Sequence, residues 1–303
     1  MDKTIIMASM MIIVVIAMVG YYFLADSTMG DGEIEVLRMG LIPADDAEEM
    51  IKNYEPLREY LSEQLEMDVE IQVTSDYTAA IEAMRSKHID MAWFGPFSYV
   101  IAVNVANAEA IANGVRRSDG KSYYHSVIIA NVDSGIETLD DLKGKKFAFV
   151  DPASTSGNLI PRKMLIENGI DPDNDFSESY YAGSHNAVQY SIANGNVDAG
   201  ATGDNSYRRM VESGEIDPEV SKIIYTSDPI PGSPIVVRGD LSEEFKKQIQ
   251  DALISMDDQT IHKVDGWGDI DRYQKVSDSD YDIIRETAKT LGMNVENAEA
   301  AAK

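Results

Sequence analysis

The chain has 303 residues, 44% of them hydrophobic, and a formal net charge of −26 at pH 7, which supplies apolar residues for a real core and suggests about two lobes. Such an acidic balance, with no cluster of Lys and Arg, argues against nucleic acid as a partner, because phosphate backbones are held by concentrated positive charge. No cysteine is present, so disulfides and a lipid-bearing Cys are excluded.

Residues 1–25 contain the uncharged run Ile5 to Leu24, 20 residues long, which at about 1.5 Å per residue matches a hydrocarbon core of roughly 30 Å. Phe23-Leu24-Ala25 offers one small residue where a signal-peptidase site needs an A-x-A-like pattern, and the run is long for a signal peptide. A retained membrane anchor is therefore expected, with residues 26–33 as a short polar linker. Val36 to Ile42 alternates as a strand, Glu48 to Glu63 has helical spacing through Met50, Tyr54, Leu57 and Leu61, and Val69 to Val73 alternates again. Asp76 opens a further helix carrying Tyr77, Ala80, Ile81 and Met84 on one face, and Ile89 to Phe94 reads as a buried strand ending at Gly95-Pro96. The second half repeats the pattern. Strands are expected at Val127 to Ala130, Phe147 to Val150, Val197 to Ala201, Ile223 to Thr226 and Ile235 to Val237, with helices at Leu159 to Ile166, Ala187 to Ala193 and Ser206 to Ser213. Alternation of this kind predicts an α/β fold with parallel sheets.

The stretch Phe147 to Arg162, FAFVDPASTSGNLIPR, joins an apolar strand to a helix through three consecutive hydroxyl residues. Ser154, Thr155 and Ser156 each offer a donor, and the first N–H groups of the following helix lack intrahelical partners and point the same way. A plain helix cap needs only one hydroxyl. Three together suit a small oxyanion, held by local dipoles without Lys or Arg.

Other chemistries are poorly supported. Ser154, His185 and Asp204 occur in hydrolase-like order, but no G-x-S-x-G elbow is present. His88, His125 and His262 stand apart without metal-ligand spacing. Gly144-Lys145-Lys146 lacks the flanking residues of a phosphate loop, so nucleotide hydrolysis is not expected of this chain. No cofactor is implied.

Four pieces, SDYTAAIEAMRSKHIDMAWFGPFSYV (Ser75 to Val100), DLKGKKFAFVDPASTSGNLIPRKML (Asp141 to Leu165), AGSHNAVQYSIANGNVDAGAT (Ala182 to Thr202) and SDPIPGSPIVVR (Ser227 to Arg238), resemble the substrate-binding proteins of phosphate, phosphite and phosphonate ABC transporters. The resemblance extends from about Val36 to Met256. It implies a two-lobed type II periplasmic-binding fold with mixed, mainly parallel sheets, closing on its ligand about a two-crossing hinge. Lobe 1 would comprise residues 34–127 and 231–303 and lobe 2 residues 128–230, with crossings near Val127 to Asn131 and Ile230 to Val236.

Position by position, the resemblance makes Ser154, Thr155 and Ser156 the oxyanion cradle, with Tyr77 approaching from the opposite lobe. Tyr124 matches a family tyrosine, with Tyr123 the alternative one residue away. His185, at the head of a helix, would donate a ring N–H. Asp204 matches an acidic residue that would accept a proton from a monoprotonated anion, with Asn205 the neighbouring alternative. Pro231-Gly232-Ser233-Pro234 stands where binders of aminoalkylphosphonates carry a second acid, which favours a smaller ligand. The function implied is an extracytoplasmic receptor, monomeric and not an enzyme, that delivers a phosphorus oxyanion to an ABC permease driven by a separate ATPase. The alternative is an oxyanion-sensing subunit that signals to a membrane sensor kinase.

Overall fold

The computed structural model describes residues 34–265 and 269–296. The apolar run expected to form a membrane anchor lies outside them. Among the described residues no helix is long and apolar enough to cross a membrane.

The first β-α-β unit forms because its local signals agree. Strand β1 (Val36–Leu41) is followed by α1 (Ala47–Leu65), whose Asp46 cap accepts the N–H groups of Glu48 and Glu49 and whose inner face buries Met50, Leu57 and Leu61. Strand β2 (Asp68–Val73) then pairs parallel with β1. Helix α2 (Tyr77–Arg85) is capped by Asp76 through the Ala79 N–H at 2.6 Å, and leads to β3 (Met91–Trp93). The expected strand Ile89 to Phe94 is shorter at both ends, and at its start Asp90 serves as a brace. It is fully buried and accepts from the Arg38 N–H at 3.0 Å and from the Arg238 guanidinium at 2.9 Å. Gly95 and Pro96 start α3 (Pro96–Ala106), which continues into β4 (Ala108–Arg116).

A short strand β5 (Tyr123–Tyr124) precedes β6 (Ser126–Asn131) and β7 (Lys146–Phe149). A π-helical turn, Thr155–Leu159, runs into α4 (Ile160–Glu167), followed by β8 (Glu178–Tyr181), α5 (His185–Ala193), β9 (Ala199–Gly203) and α6 (Asp204–Glu212). The chain then forms β10 (Ser221–Thr226), β11 (Ile230–Pro231) and β12 (Pro234–Arg238), and ends in α7 (Glu243–Ile254), α8 (Asp258–Val264), β13 (Ile270–Lys275) and α9 (Asp282–Thr290).

These strands build one sheet in the order β13-β4-β12-β3-β1-β2 and another in the order β10-β6-β9-β7-β8. The sheets are mixed, and the expectation of mainly parallel pairing does not hold. β1 with β2 and β3, and β7 with β8 and β9, are parallel. β12 with β3 and β4, β13 with β4, and β6 with β9 and β10 are antiparallel. The reason is topological, since strands arriving after a passage between sheets enter from the other end. Val127 to Asn131, where a crossing was expected, lies wholly within β6. The passages fall beside it, where β5 and β11 pair as a two-stranded ribbon with Ile230 opposite Tyr124.

Candidate functional site

Strand β7 ends where the hydroxyl triplet begins. The Val150 N–H donates to the Gly157 carbonyl at 3.0 Å, which folds the turn back on the strand. Gly157 is required there, because a Cβ would lie 2.3 Å from the Val150 side chain. The turn is wound to i→i−5, with Leu159 N–H reaching the Ser154 carbonyl and Ile160 N–H the Thr155 carbonyl. Such π turns inside helices are frequent at functional sites. Ser154, Thr155 and Ser156 are all at most 2% exposed. Two of their hydroxyls are oriented by bonds they accept: Ser154 Oγ from the Gly157 N–H at 3.1 Å, and Thr155 Oγ1 from the Phe97 N–H at 2.8 Å. Each O–H proton is thereby left to donate elsewhere.

The triplet lines a cavity of about 140 Å³ together with Tyr77, Tyr124, His185, Asn205 and Ser206. Residues from five helix starts reach this wall: Tyr77 of α2, Gly95 before α3, the triplet, His185 of α5, and Asn205 of α6. Each start brings the positive end of a helix dipole toward the cavity, although several of its first N–H groups are already paired, as Phe97 N–H is with Thr155 Oγ1 and His185 N–H with the Ala44 carbonyl. Among the described residues Arg209 is the one cation on the wall, and its guanidinium is paired with Asp45.

The protonation states agree with a donor site. Tyr77 is 1% exposed, and its hydroxyl makes no hydrogen bond of regular geometry among the described residues, with the Ser154 hydroxyl near it. Burial, and then the carboxylate of Asp151, hold that phenol well above its ordinary range. Burial likewise pushes Tyr124 up to about 12, partly offset by the hydroxyls of Ser156 and Thr155. His185 is pushed down to about 4 by burial, so its ring is neutral near pH 7. Its Nδ1 accepts the Gly203 N–H at 3.4 Å and lies 2.9 Å from Thr202 Oγ1. That assigns the proton to Nε2 and leaves Nε2–H as the donor for the cavity that His185 lines.

Contacts between elements of the two sheets surround the cavity. The His185 N–H donates to the Ala44 carbonyl at 2.8 Å, the Tyr77 N–H reaches Asp151 Oδ2 at 3.5 Å, and Arg208 pairs with Asp269 at 3.1 Å. Asp151 is nearly buried, and burial pushes its carboxyl up to about 6, with Asp76 adding to the shift.

This donor cavity can be set beside known proteins. The model of a family described as ABC transporter, phosphonate, periplasmic substrate-binding protein matches residues 39–281. The chain belongs to this family. A "Phosphate-import protein PhnD" of Mycolicibacterium smegmatis is 32% identical over 289 residues, covering 88% of this chain and 89% of the relative. Among solved structures, a binding-protein component of an ABC phosphonate transporter from Pseudomonas aeruginosa superposes with a TM-score of 0.78 at 28% identity, covering 88% of this chain and 92% of the other. PhnD1 of Prochlorococcus marinus, in complex with methylphosphonate, superposes with a TM-score of 0.78 at 25% identity, covering 85% and 98%. As a member of the family, the chain is an extracytoplasmic substrate-binding protein of an ABC transporter with the type II periplasmic-binding fold.

In this binding protein the structure brings Ser154, Thr155, Ser156, Tyr77, Tyr124 and His185 to one cavity, and Asp204 is the exception. Helix α6 begins at Asp204, two residues earlier than expected, and the Asp204 carboxylate accepts the His125 N–H at 2.9 Å and the Asn205 N–H at 2.8 Å. The Asp204 N–H in turn donates to the His125 carbonyl at 2.9 Å. Asp204 staples α6 to β6, and Asn205 takes its place on the cavity wall. Of the two tyrosines, Tyr124 lines the cavity, while Tyr123 packs against His125 and lies under Lys121. The hydrolase order is not assembled either, since Asp204 is spent on backbone groups and His185 Nδ1 on Thr202 and Gly203. The sequence analysis missed Ile42, Asp45, Tyr54, Trp93 and Arg209 on the wall. Trp93 and Asp45 carried a signal, one sitting before Gly95-Pro96 and the other in the cap region of α1.

Proposed function

We propose that this protein captures a small phosphorus oxyanion, such as phosphite, phosphate or a short alkylphosphonate, in the cavity between its two sheets and presents it to an ABC permease energised by a separate ATPase. The observation that carries this reading is the buried Tyr77 hydroxyl, without a regular hydrogen bond, beside three hydroxyl residues at a helix start. An unmatched buried hydroxyl costs about 1–3 kcal/mol, which an anionic acceptor would relieve. Hydrogen bonds to a charged acceptor contribute about 1.5–3 kcal/mol each, so several suffice for micromolar or tighter capture. The ligand-binding residues proposed are Ser154, Thr155, Ser156, Tyr77, Tyr124 and His185, with Asn205 in the role first given to Asp204.

The two lobes would divide near the earlier boundaries, residues 34–127 with 231–303 and residues 128–230, and would hinge at the β5–β11 ribbon. The chain would act as a monomer, without turnover of its ligand. Ile5 to Leu24 supports a tether to the outer face of the membrane. The relatives that match over most of the chain are transporter components, whereas a tetrathionate sensor histidine kinase matches over 46% of it at 27% identity, which favours transport over the sensing alternative.

Calorimetric titration of residues 31–303 with phosphite, phosphate, methylphosphonate and aminoethylphosphonate tests the reading. Saturable binding of at least one, with the ligand recovered unchanged, is expected. A folded sample that binds none of them would overturn it.

A further inference from the structure

Two buried side chains, Thr202 and Gln189, touch His185 without lining the cavity themselves. Thr202 is fully buried and belongs to β9, where it pairs with Val127 of β6, so it stands on the sheet and not on a loop. Its Oγ1 lies 2.9 Å from His185 Nδ1. Gln189 is 1% exposed and sits one turn along α5 from His185. Its Nε2 donates to the His185 carbonyl at 3.2 Å and to Ser206 Oγ at 3.1 Å, and approaches Thr202 Oγ1 at 3.5 Å. Gln189 Oε1 is left buried with no hydrogen-bond partner among the described residues, which costs stability. Turning the amide over would not help, since it would set the oxygen against the His185 carbonyl. The donor end of Gln189 is thus spent on tying the start of α5 to Ser206 of α6.

The bond between Thr202 and His185 runs one way. A proton on Nδ1 would face the Gly203 N–H, which points at that nitrogen at 3.4 Å, and would leave the Thr202 hydroxyl with no acceptor among the described residues. With the Thr202 O–H donating, Nδ1 accepts from both groups and the ring proton goes to Nε2. Burial keeps the ring neutral near pH 7, so the tautomer alone decides whether Nε2 offers the cavity a proton or a lone pair. We infer that Thr202 is a positioning residue for oxyanion capture: its hydroxyl holds the His185 ring in the Nε2–H form and so makes His185 a donor. This rests on the reading of the site as a phosphorus-oxyanion pocket with His185 on the ligand. Thr202 suits the task, because the Gly203 N–H is the longer contact and a strand inside the sheet holds the hydroxyl in place.

The test pairs nitrogen-15 NMR of the histidine rings with calorimetry, on the wild type, Thr202→Val and Thr202→Ser. Valine keeps the shape and removes the hydroxyl, whereas serine keeps the hydroxyl. The chain has four histidines, so the His185 signals can be assigned from His185→Gln. In the ligand-free wild type near pH 7, Nε2 should be the protonated nitrogen and Nδ1 the bare one. In Thr202→Val this pattern should give way to a mixture of tautomers. Affinity for methylphosphonate, phosphite or phosphate, whichever the wild type binds, should fall about tenfold in the same variant. Thr202→Ser should restore both readouts. On a His185→Gln background, Thr202→Val should cost less than about twofold, because its effect passes through the ring. Either readout staying at its wild-type value in Thr202→Val overturns the inference, as does a full-sized loss of affinity on the His185→Gln background. If Thr202→Val does not fold, Thr202→Ala is read in the same way. A wild type that binds none of the three anions sinks the oxyanion reading itself, while the ring pattern, measured without ligand, still decides whether Thr202 sets the tautomer.

Discussion

The two sheets meet at one cavity and give it unlike chemistry. The connections of the five-stranded sheet supply Ser154, Thr155, Ser156, His185 and Asn205, neutral polar groups at helix starts. The six-stranded sheet and its connections supply Ile42, Met50, Tyr54, Trp93 and the buried phenol of Tyr77, together with the carboxylates of Asp45, Asp265 and Asp269. The difference explains how a chain of net charge −26 can hold an anion. On the proposed reading the attraction comes from dipoles and donors a few ångströms away, while acidic groups farther off are screened over about 8 Å at physiological salt.

The sharpest way to break the comparison is to disarm the polar side. Thr155→Ala with Ser156→Ala should weaken oxyanion binding by about a hundredfold or more, since two charge-assisted hydrogen bonds are lost. Thermal unfolding without ligand should also come earlier, because Thr155→Ala strands the buried Phe97 N–H at a cost of about 1–3 kcal/mol, so Ser156→Ala alone serves as the variant that keeps that bond. Calorimetry on the double variant checks this, and unchanged affinity would remove the proposed cradle.

The next effect separates two titrating groups on the five-stranded side, His185 on the cavity wall and the nearly buried Asp151. His185 titrates at about 4 in the fold against 6.5 ordinarily, so between those values the unfolded chain binds a proton that the native state does not, and stability falls as pH drops. Asp151 titrates at about 6 against 3.8, so here the native state binds the extra proton and stability rises as pH drops from 6 to 3.8. Each contribution is on the order of 3 kcal/mol, of opposite sign. His185→Gln should therefore make the protein relatively more stable at pH 4.5 than at pH 7.5, and Asp151→Asn should do the reverse. Chemical denaturation at the two pH values would expose the error if both variants shifted the same way.

Tyr77→Phe probes the buried phenol on the six-stranded side. Affinity should fall about ten- to a hundredfold through loss of one hydrogen bond to a charged acceptor. The ligand-free protein should be no less stable, because the hydroxyl makes no regular hydrogen bond there. The smallest effect belongs to Asp204→Asn. An asparagine oxygen still accepts the His125 and Asn205 N–H groups, so affinity should change by less than about threefold. A changed pH dependence of affinity in this variant would return Asp204 to the ligand.

Legibility in the sequence followed the range of the signal. The first β-α-β unit could be read because Asp46 and Asp76 cap their helices and the apolar spacing matches the buried faces. Helix α3 gave no period, since Pro96 to Ala102 is buried on all sides. Strand β8 carries four exposed residues, so no alternation marked it. The hydroxyl triplet was legible because its members are adjacent. Asp45 and Arg209 were not, because only the meeting of the two sheets brings residues so distant in the chain together. Asp204 was misplaced for a local reason. The start of α6 moved by two residues, which turned an expected wall residue into a brace and put Asn205 in its place.

The most direct measurement is a crystal structure of the protein with methylphosphonate bound. The account predicts the phosphorus oxygens within hydrogen-bond distance of the hydroxyls of residues 154–156 and Tyr77 and of His185 Nε2, with the methyl group toward Trp93 and Ile42. An oxyanion resting instead on the Arg209 guanidinium, with the triplet uncontacted, would contradict the claim that neutral donors at helix starts hold the ligand.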